Sequence, residues 1–411
     1  MSNEAIPSDT DEEPSGNDIE SFRPVDFGGQ VLLLGFGSIG YGVFPLLQRH
    51  INFTRDVAVT IITHSDRQEQ AEHAARKYGG VKDIIIQKLT PSNYESIFQR
   101  IGLTRGDFII NVSVDVCSCD LIRWCSHEGV LYMDTCIEPW AGHYANPNLT
   151  VSERSNYALR ERLCALQKEL PSDGPTAIVT HGANPGAVSH FVKVALLNIA
   201  NAYAATLSSD DAHAVRTTPE TQQEWALLAQ SLGVQTIQIS ERDTQRMDVV
   251  RRPPDFFNTW SVDGFLSEAC QPSELGWGTH EKTLPPDGHH HEFGCGASIY
   301  LDRPGAGTRV RSWTPSGGPH IGYLITHNEA ISLADYFTLR DPADAVQETT
   351  SSGAGEQRPA PAQYRPTVMY AYRPCDMAVL ALEELAANEW DMDFFTNKEV
   401  RCSSRLAGRV R

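Results

Sequence analysis

The sequence predicts an α/β chain with an N-terminal Rossmann-type, doubly wound parallel sheet, followed by an α+β substrate domain with a mostly antiparallel sheet. Three observations carry this. Short β-branched runs alternate with amphipathic helical patterns between residues 28 and 181. The first run leads straight into the glycine turn GFGSIG at 35–40. After 181 the text changes to strand-length pieces rich in Gly, Trp, Phe, Thr and Tyr.

Taken in order, residues 1–27 are polar and acidic, with neither a secretory nor a transit pattern, and are expected to be a disordered tail. The runs VLLLGF (31–36), VAVTIITH (57–64), DIIIQK (83–88), DFIINVSV (107–114), VLYMDT (130–135) and TAIVTH (176–181) are mostly apolar throughout, as strands covered on both faces should be. Between them, Tyr94, Ile97, Phe98 and Ile101 repeat at helical spacing, as does NYALRERLCALQKEL (156–170). In GANPG (182–186), Asn184 stands where a helix N-cap belongs and Pro185 at the first helical position, opening the substrate domain at 182–340. WALLAQSLGVQTIQISERDTQ reads as helix, turn and strand, and FFNTWSV, ASIYL, TRVRSWT and IGYLITH read as strands of an antiparallel sheet. Residues 341–363 form a low-complexity insertion expected to be disordered, 364–390 a returning strand (TVMYAYR) and helix, and 391–411 an atypical tail.

Composition narrows the function. A net charge of −18 over 411 residues repels polyanions and favours cationic ligands, which argues against nucleic acid. No apolar run approaches the roughly 20 residues of a membrane span. Nine cysteines without a framework spacing suit a reducing, cytoplasmic setting. The cluster HHHE at 289–292 lacks separated ligands, so no metal is expected.

The turn GFGSIG follows a strand and enters a helix whose Ile39, Val43, Leu46 and Leu47 are expected to share one face. Free N–H groups at such a helix start hold a pyrophosphate, which assigns Gly35, Gly37, Ser38, Ile39 and Gly40 to a dinucleotide. Asp66, the nearest acid after the second strand, favours NAD, although Arg67 beside it could meet a 2′-phosphate. Acids and tryptophans then gather at later strand ends: Asp115, Glu138, Trp140, Glu241, Trp260, Glu268, and His327 with Glu329. A carboxylate pairs with an ammonium, and an indole face attracts it by about 0.5–2 kcal/mol, so the set suits a small organic cation.

The runs GFGSIG, NVSVDVCSCDL, YMDTCIEPW, GANPGAVSHFVK, FNTWSVDGFLSE, QPSELGWGTHE, HEFGCGASIYL, THNEAISLADYFTLR and YAYRPC resemble the bacterial homospermidine synthase family, from about residue 28 to about 390. The resemblance implies a saccharopine dehydrogenase-like fold and a reaction in which NAD borrows a hydride from putrescine and returns it to a new imine, joining the aminobutyl group to a second putrescine or to spermidine. It implies that Asn184, Glu241, Trp260, Glu268, His327 and Glu329 line the amine pocket and carry catalysis. Asp115 and Glu138 would stand between pocket and nicotinamide, with Trp260 and Glu268 also holding substrate and Asp115 also touching the cofactor. The expected partners are diamines and a second copy of the chain, with no nucleic acid and no membrane.

Two rival readings stay open at this point. A saccharopine or carboxynorspermidine dehydrogenase would need pocket arginines for carboxylated substrates, and only Arg242 and Arg246 lie close to a motif. A non-catalytic dinucleotide-binding protein is the other, because DMDFFTNKEVRCSSRLAGRVR after Trp390 departs from the resemblance and reads like a shifted frame. If a last segment is missing, helix 376–388, with Leu380 and Leu382 on different sides, should leave an apolar patch near the cofactor crevice, and dinucleotide binding should exceed turnover.

Overall fold

A computed structural model of the chain describes residues 23–54, 59–204, 218–246, 250–340 and 361–400. The disorder expected of the N-terminal tail as far as residue 22, of the insertion as far as 360, and the character of the tail from 401 lie outside the described residues.

The N-terminal half is a six-stranded, wholly parallel sheet in the order Val81–Ile86, Val59–Thr63, Val31–Leu34, Phe108–Asn111, Leu131–Asp134, Ala177–Ile178. The chain starts in the middle at Val31–Leu34, builds toward one edge and then crosses to the other. The crevice of this doubly wound sheet therefore opens at the carboxyl ends of Val31–Leu34 and Phe108–Asn111. Every residue of Val31–Leu34 and Val59–Thr63 is buried, as their unbroken apolar text requires. Phe36, Phe44 and Ile61 fill one face of the sheet, and Ile97, Phe98, Leu121 and Tyr132 fill the other.

The second half is a seven-stranded mixed sheet. Gly288–His290, Ser298–Pro304, Pro272–Gly276, Thr367–Arg373, Gly318–Tyr323 and Arg309–Thr314 follow one another antiparallel, and Thr236–Arg242 pairs parallel with all seven residues of Thr367–Arg373. Helices Val262–Cys270, Asn328–Tyr336 and Asp376–Ala387 contribute Phe265, Leu333 and Leu382 to its core. The fold class matches the sequence expectation.

Several local expectations shift. In helix Ser38–His50 the buried residues are Gly40 and Phe44, whereas Ile39 and Leu46 are half exposed. The helix is turned because Gly40 crosses the glycine loop so closely that a Cβ there would lie 2.3 Å from the Gly35 carbonyl oxygen. Asn184 caps no helix: the helix runs Ala187–Ala204, two residues past Pro185, and the Asn184 amide is engaged elsewhere. Residues 25–27 of the supposed tail form a short strand parallel to Ile51–Phe53. At the other end, Phe395 is buried and Asn397–Val400 pairs parallel with Asp255–Asn258, so residues 391–400 are docked on the second domain. In helix Asp376–Ala387 Leu382 is buried, and Leu380 is 50% exposed.

The spacing between sheet and helix in the second domain is set at Gly276, where an added Cβ would meet the Ala334 Cβ at 2.4 Å and the Ala330 carbonyl oxygen at 2.5 Å. For Gly276→Ala we expect a loss of about 1–3 kcal/mol in urea unfolding, the usual cost of overpacking. An unchanged midpoint would place the control of that spacing elsewhere.

Candidate active site

The glycine turn is built to leave room. Gly35 has φ +88°, and a Cβ there would lie 2.8 Å from the Ser113 backbone, so only glycine lets the first and fourth strands end this close together. At Gly37 a Cβ would meet nothing within 4 Å, and no side chain caps the N-terminus of helix Ser38–His50. Open space in front of uncapped N–H groups fits a pyrophosphate. Ser38 and Ile39 stand exposed at that helix start. The crevice beside it is lined by Thr63, His64, Gln87, Lys88 and Asp115. Asp66 sits just beyond the strand in the turn Ser65–Arg67, paired with Arg67 at 3.2 Å and largely in water. Asp115, exposed and at φ +63°, marks the lip of the crevice.

Across the crevice the second domain presents a compact polar cluster. Asn184 donates its Nδ2 to Glu241 Oε2 and, at 2.9 Å, to the Tyr370 hydroxyl. Tyr370 in turn donates to Glu241 and stacks on the His327 ring with centroids 3.9 Å apart. His327 bonds Glu329 through Nδ1 and holds Nε2 3.8 Å from Glu268 Oε1. Trp260 donates its indole N–H to the Tyr372 hydroxyl at 3.1 Å. The sheet explains the gathering: Glu241 and Tyr372 are register partners on adjacent strands, and side chains two apart share a face, so Tyr370 joins them. A cavity of about 330 Å³ lies in the nucleotide-binding domain, lined by Glu138, Trp140, Cys117 and Arg162 among others.

Burial dominates the electrostatics. It pushes Glu138 up to about 8, aided by Asp115, Asp134 and Glu268 against a backbone bond at Asp115 that lowers it. Glu268 is pushed up to about 7, first by burial and then by Glu241 and Glu329, with His327 opposing. Its side chain keeps 26% of its surface exposed, so water at the pocket mouth tempers that rise without reversing it. His327 is moved down by burial and further up by Glu329, Glu268 and Glu241, and the net direction is up. Burial also raises Cys136, with the surrounding carboxylates adding, so it stays a thiol. The three pocket carboxylates Glu241, Glu268 and Glu329 have no lysine or arginine ion partner among the described residues.

Thus the structure brings Asn184, Glu241, Glu268, His327 and Glu329 into one cluster, sets Trp260 at its edge through Tyr372, and places Glu138 across from it within electrostatic reach of Glu268. Asp66 lies apart, in the turn Ser65–Arg67 after the second parallel strand. Sequence reasoning missed Tyr370, Tyr372 and Tyr144. Tyr144 is half-buried, and desolvation, with Glu138, Cys136 and Glu268 adding, raises it well above its ordinary range. The i, i+2 tyrosines of TVMYAYR were the available signal for the first two, but only the pairing with Thr236–Arg242 shows which face they share. His291 of the histidine cluster is buried and pushed down to about 3, chiefly by desolvation, and no metal-holding group occurs among the described residues.

Two outcomes follow from this geometry. Gly37→Val should fill the open space in front of the helix and weaken NAD binding about 100-fold or more by titration calorimetry, the order of one lost phosphate cradle. Its unliganded melting temperature should be unchanged, and wild-type affinity would move the phosphate site away from the turn. Glu138 is raised from 4.5 to about 8 in the folded protein, so between these values the fold holds a proton that the unfolded chain has released. Its contribution is full below the unfolded value and is lost as pH rises toward the folded one. The melting temperature of Glu138→Gln minus that of wild type should therefore grow from pH 5 to pH 8, and a pH-independent difference would show an ordinary carboxyl.

Comparison with known proteins agrees with the geometry. Residues 31–178 match the saccharopine dehydrogenase NADP-binding domain and residues 182–404 the saccharopine dehydrogenase C-terminal domain. The second match includes the docked segment 391–400 that the sequence text had set apart. Homospermidine synthase of Blastochloris viridis is 44% identical over 360 residues, covering 87% of this chain and 69% of that protein. The Mesorhizobium japonicum homospermidine synthase is 42% identical over 362 residues, covering 87% and 68%. The crystal structure of the Legionella pneumophila homospermidine synthase in complex with NAD superposes with a TM-score of 0.75 at 36% identity, covering 92% of this chain and 72% of that one. With a dinucleotide turn facing an acid-lined pocket and similarity of this extent, the chain belongs to the homospermidine synthase family, built from saccharopine dehydrogenase-type domains.

Proposed function

We propose that the chain is an enzyme that makes homospermidine by transferring an aminobutyl group from putrescine to a second putrescine, with spermidine as an alternative acceptor, using NAD that is regenerated within each turnover. The observation that carries the reading is the cluster of Glu241, Glu268 and Glu329 around His327, opposite Glu138, with no arginine or lysine paired to it among the described residues. Such a site attracts a diammonium ion and repels a carboxylated substrate. Of the two arginines that a saccharopine or carboxynorspermidine dehydrogenase reading requires, Arg242 is spent on the Gly317 carbonyl and Arg246 is exposed.

Bound at the glycine turn, NAD supplies a hydride acceptor for the amine carbon and gives the hydride back to the product imine. Gly35, Gly37, Ser38, Ile39 and Gly40 would hold its phosphates, Asp66 would serve its ribose, and Asp115 would serve its nicotinamide end. An amine releases hydride only from its neutral form, so a group must take its proton. Glu268, raised toward neutrality, takes the proton at Oε1, and His327, fixed by Glu329 on its other nitrogen, stabilises the charge that results. Glu241, oriented by Asn184 and Tyr370, anchors the distal ammonium and so sets the reacting carbon. Glu138 binds the second amine, and the Trp260 ring face shelters the iminium carbon from water. After the second amine adds, ammonia leaves, and the new C=N bond joins the two chains. The reading includes a homodimer, supported by the apolar face that helix Ala187–Ala204 exposes at Phe191, Val194 and Ile199. It also includes a cytoplasmic setting, supported by eight free thiols among the described residues, where no helix is long and apolar enough to cross a membrane.

The test is putrescine deuterated at its reacting carbons, supplied with unlabelled NAD in catalytic amount. Label should return to homospermidine without steady growth of NADH absorbance, and Glu268→Gln should cut kcat about 100-fold or more while leaving NAD affinity intact. NADH accumulating in proportion to product would overturn the recycled-cofactor scheme.

A further inference from the structure

Thr326, immediately before His327, is fully buried and donates its hydroxyl to Glu274 Oε2 at 2.5 Å. Glu274, on strand Pro272–Gly276 of the second domain, is also fully buried. It belongs to none of the amine-pocket contacts. Instead it crosses the domain junction to the N-terminus of helix Asn156–Glu169, accepting the backbone N–H of Asn156 at 2.9 Å through Oε2 and that of Tyr157 at 3.1 Å through Oε1. Asn156 closes the ring by donating its side-chain Nδ2 to Thr326 Oγ1 at 3.1 Å. His291 covers the carboxylate: its Nε2 is 3.8 Å from Glu274 Oε1, its ring stacks on Tyr157 at 3.9 Å, and its Nδ1 contacts Ser152 Oγ at 2.7 Å.

We propose that Glu274 is a positioning residue for the reaction, acting through Thr326 to fix His327 relative to the nucleotide-binding domain. The helix that it caps is the crossover between the fifth and sixth strands of the parallel sheet, so its start moves with the sheet whose strand ends carry Asp115 and Glu138. One carboxylate therefore bonds both halves of the site at once. A buried carboxylate that merely capped a helix would have no need of the residue preceding His327. The ring Glu274, Thr326, Asn156 is closed within hydrogen-bond distance on all sides, which makes it stiff. Hydride distance is sensitive to displacements of an ångström, and the His327 ring is held on its remaining sides by Glu329, Glu268 and Tyr370.

The inference rests on the amine-transfer reading for its consequence, but its test does not. Thr326→Val keeps the volume and leaves Glu274 capping the helix while cutting the link to His327. Its His327 imidazole, assigned by NMR against His327→Asn, should titrate with a midpoint moved by about half a unit or more from wild type, and kcat should fall about tenfold or more with the KM for putrescine within about twofold. Thr326→Ser should restore both. Glu274→Gln, which turns an N–H₂ toward donors, should move the His327 titration as Thr326→Val does; if it does not fold, the threonine pair decides. A Thr326→Val titration that superimposes on wild type would reduce Glu274 to a helix cap and overturn the proposal, whatever happens to kcat. A wild type that makes no homospermidine, with the Thr326→Val titration still shifted from it, would instead overturn the functional reading and leave the positioning role standing.

Discussion

Carboxylates collected at a domain junction without lysine or arginine counterions among the described residues are the constraint on which this structure turns. Taking an anion from water into protein costs several kcal/mol unless donors or opposite charges surround it. Here the fold supplies dipoles in place of cations. Glu274 takes two helix N–H groups and a hydroxyl, Glu241 takes an amide and a phenol, and Glu329 takes the imidazole. The remaining cost appears as raised protonation, with burial pushing Glu138 to about 8 and Glu268 and Glu274 to about 7. A diammonium ligand removes that cost by arriving with the missing charges. In the proposed function the same arrangement serves both to bind the diamine and to accept protons near neutrality.

Dipoles can replace cations only where several chain segments meet, which is why the second domain is assembled from distant parts. Asn184 comes from the first turn after the parallel sheet, Glu241 from a strand more than fifty residues later, and Tyr370 and Tyr372 from the strand that returns beside it. Parallel pairing in register sets Glu241 against Tyr372, so a one-residue slip would turn Glu241 away from its partners. The docked segment ending at Val400 covers Phe256 with Phe395, 4.9 Å between ring centroids, and so braces the neighbourhood of Trp260.

Much of this was legible in the text. Unbroken apolar runs such as Val31–Leu34 can be stable only between two helix layers, and the glycine turn after such a run has few other uses. The acids Glu241, Glu268 and Glu329 and the histidine His327 were identifiable by type and by position near strand ends. What failed was anything that depended on orientation. The helical spacing of Ile39 and Leu46 suggested a buried face, but the close crossing of Gly40 over Gly35 rotates the helix and leaves both exposed. Asn184 has the identity and position of a helix cap, and a carboxylate nearly sixty residues away competes for its amide.

The sequence by itself determined the parallel sheet, the dinucleotide turn and the acidic character of the pocket, because each is written in local periodicity or in residue type, and its motifs carried the family resemblance. Only the tertiary structure decided which acids lose their water, which of them face one another, and how His327 is held. Those properties depend on burial and on distances between segments far apart in the chain. No local pattern encodes that Glu274 meets Asn156 or that Tyr370 meets Asn184, 118 and 186 residues away, since the first contact exists only once the two domains meet and the second only once the second domain has folded.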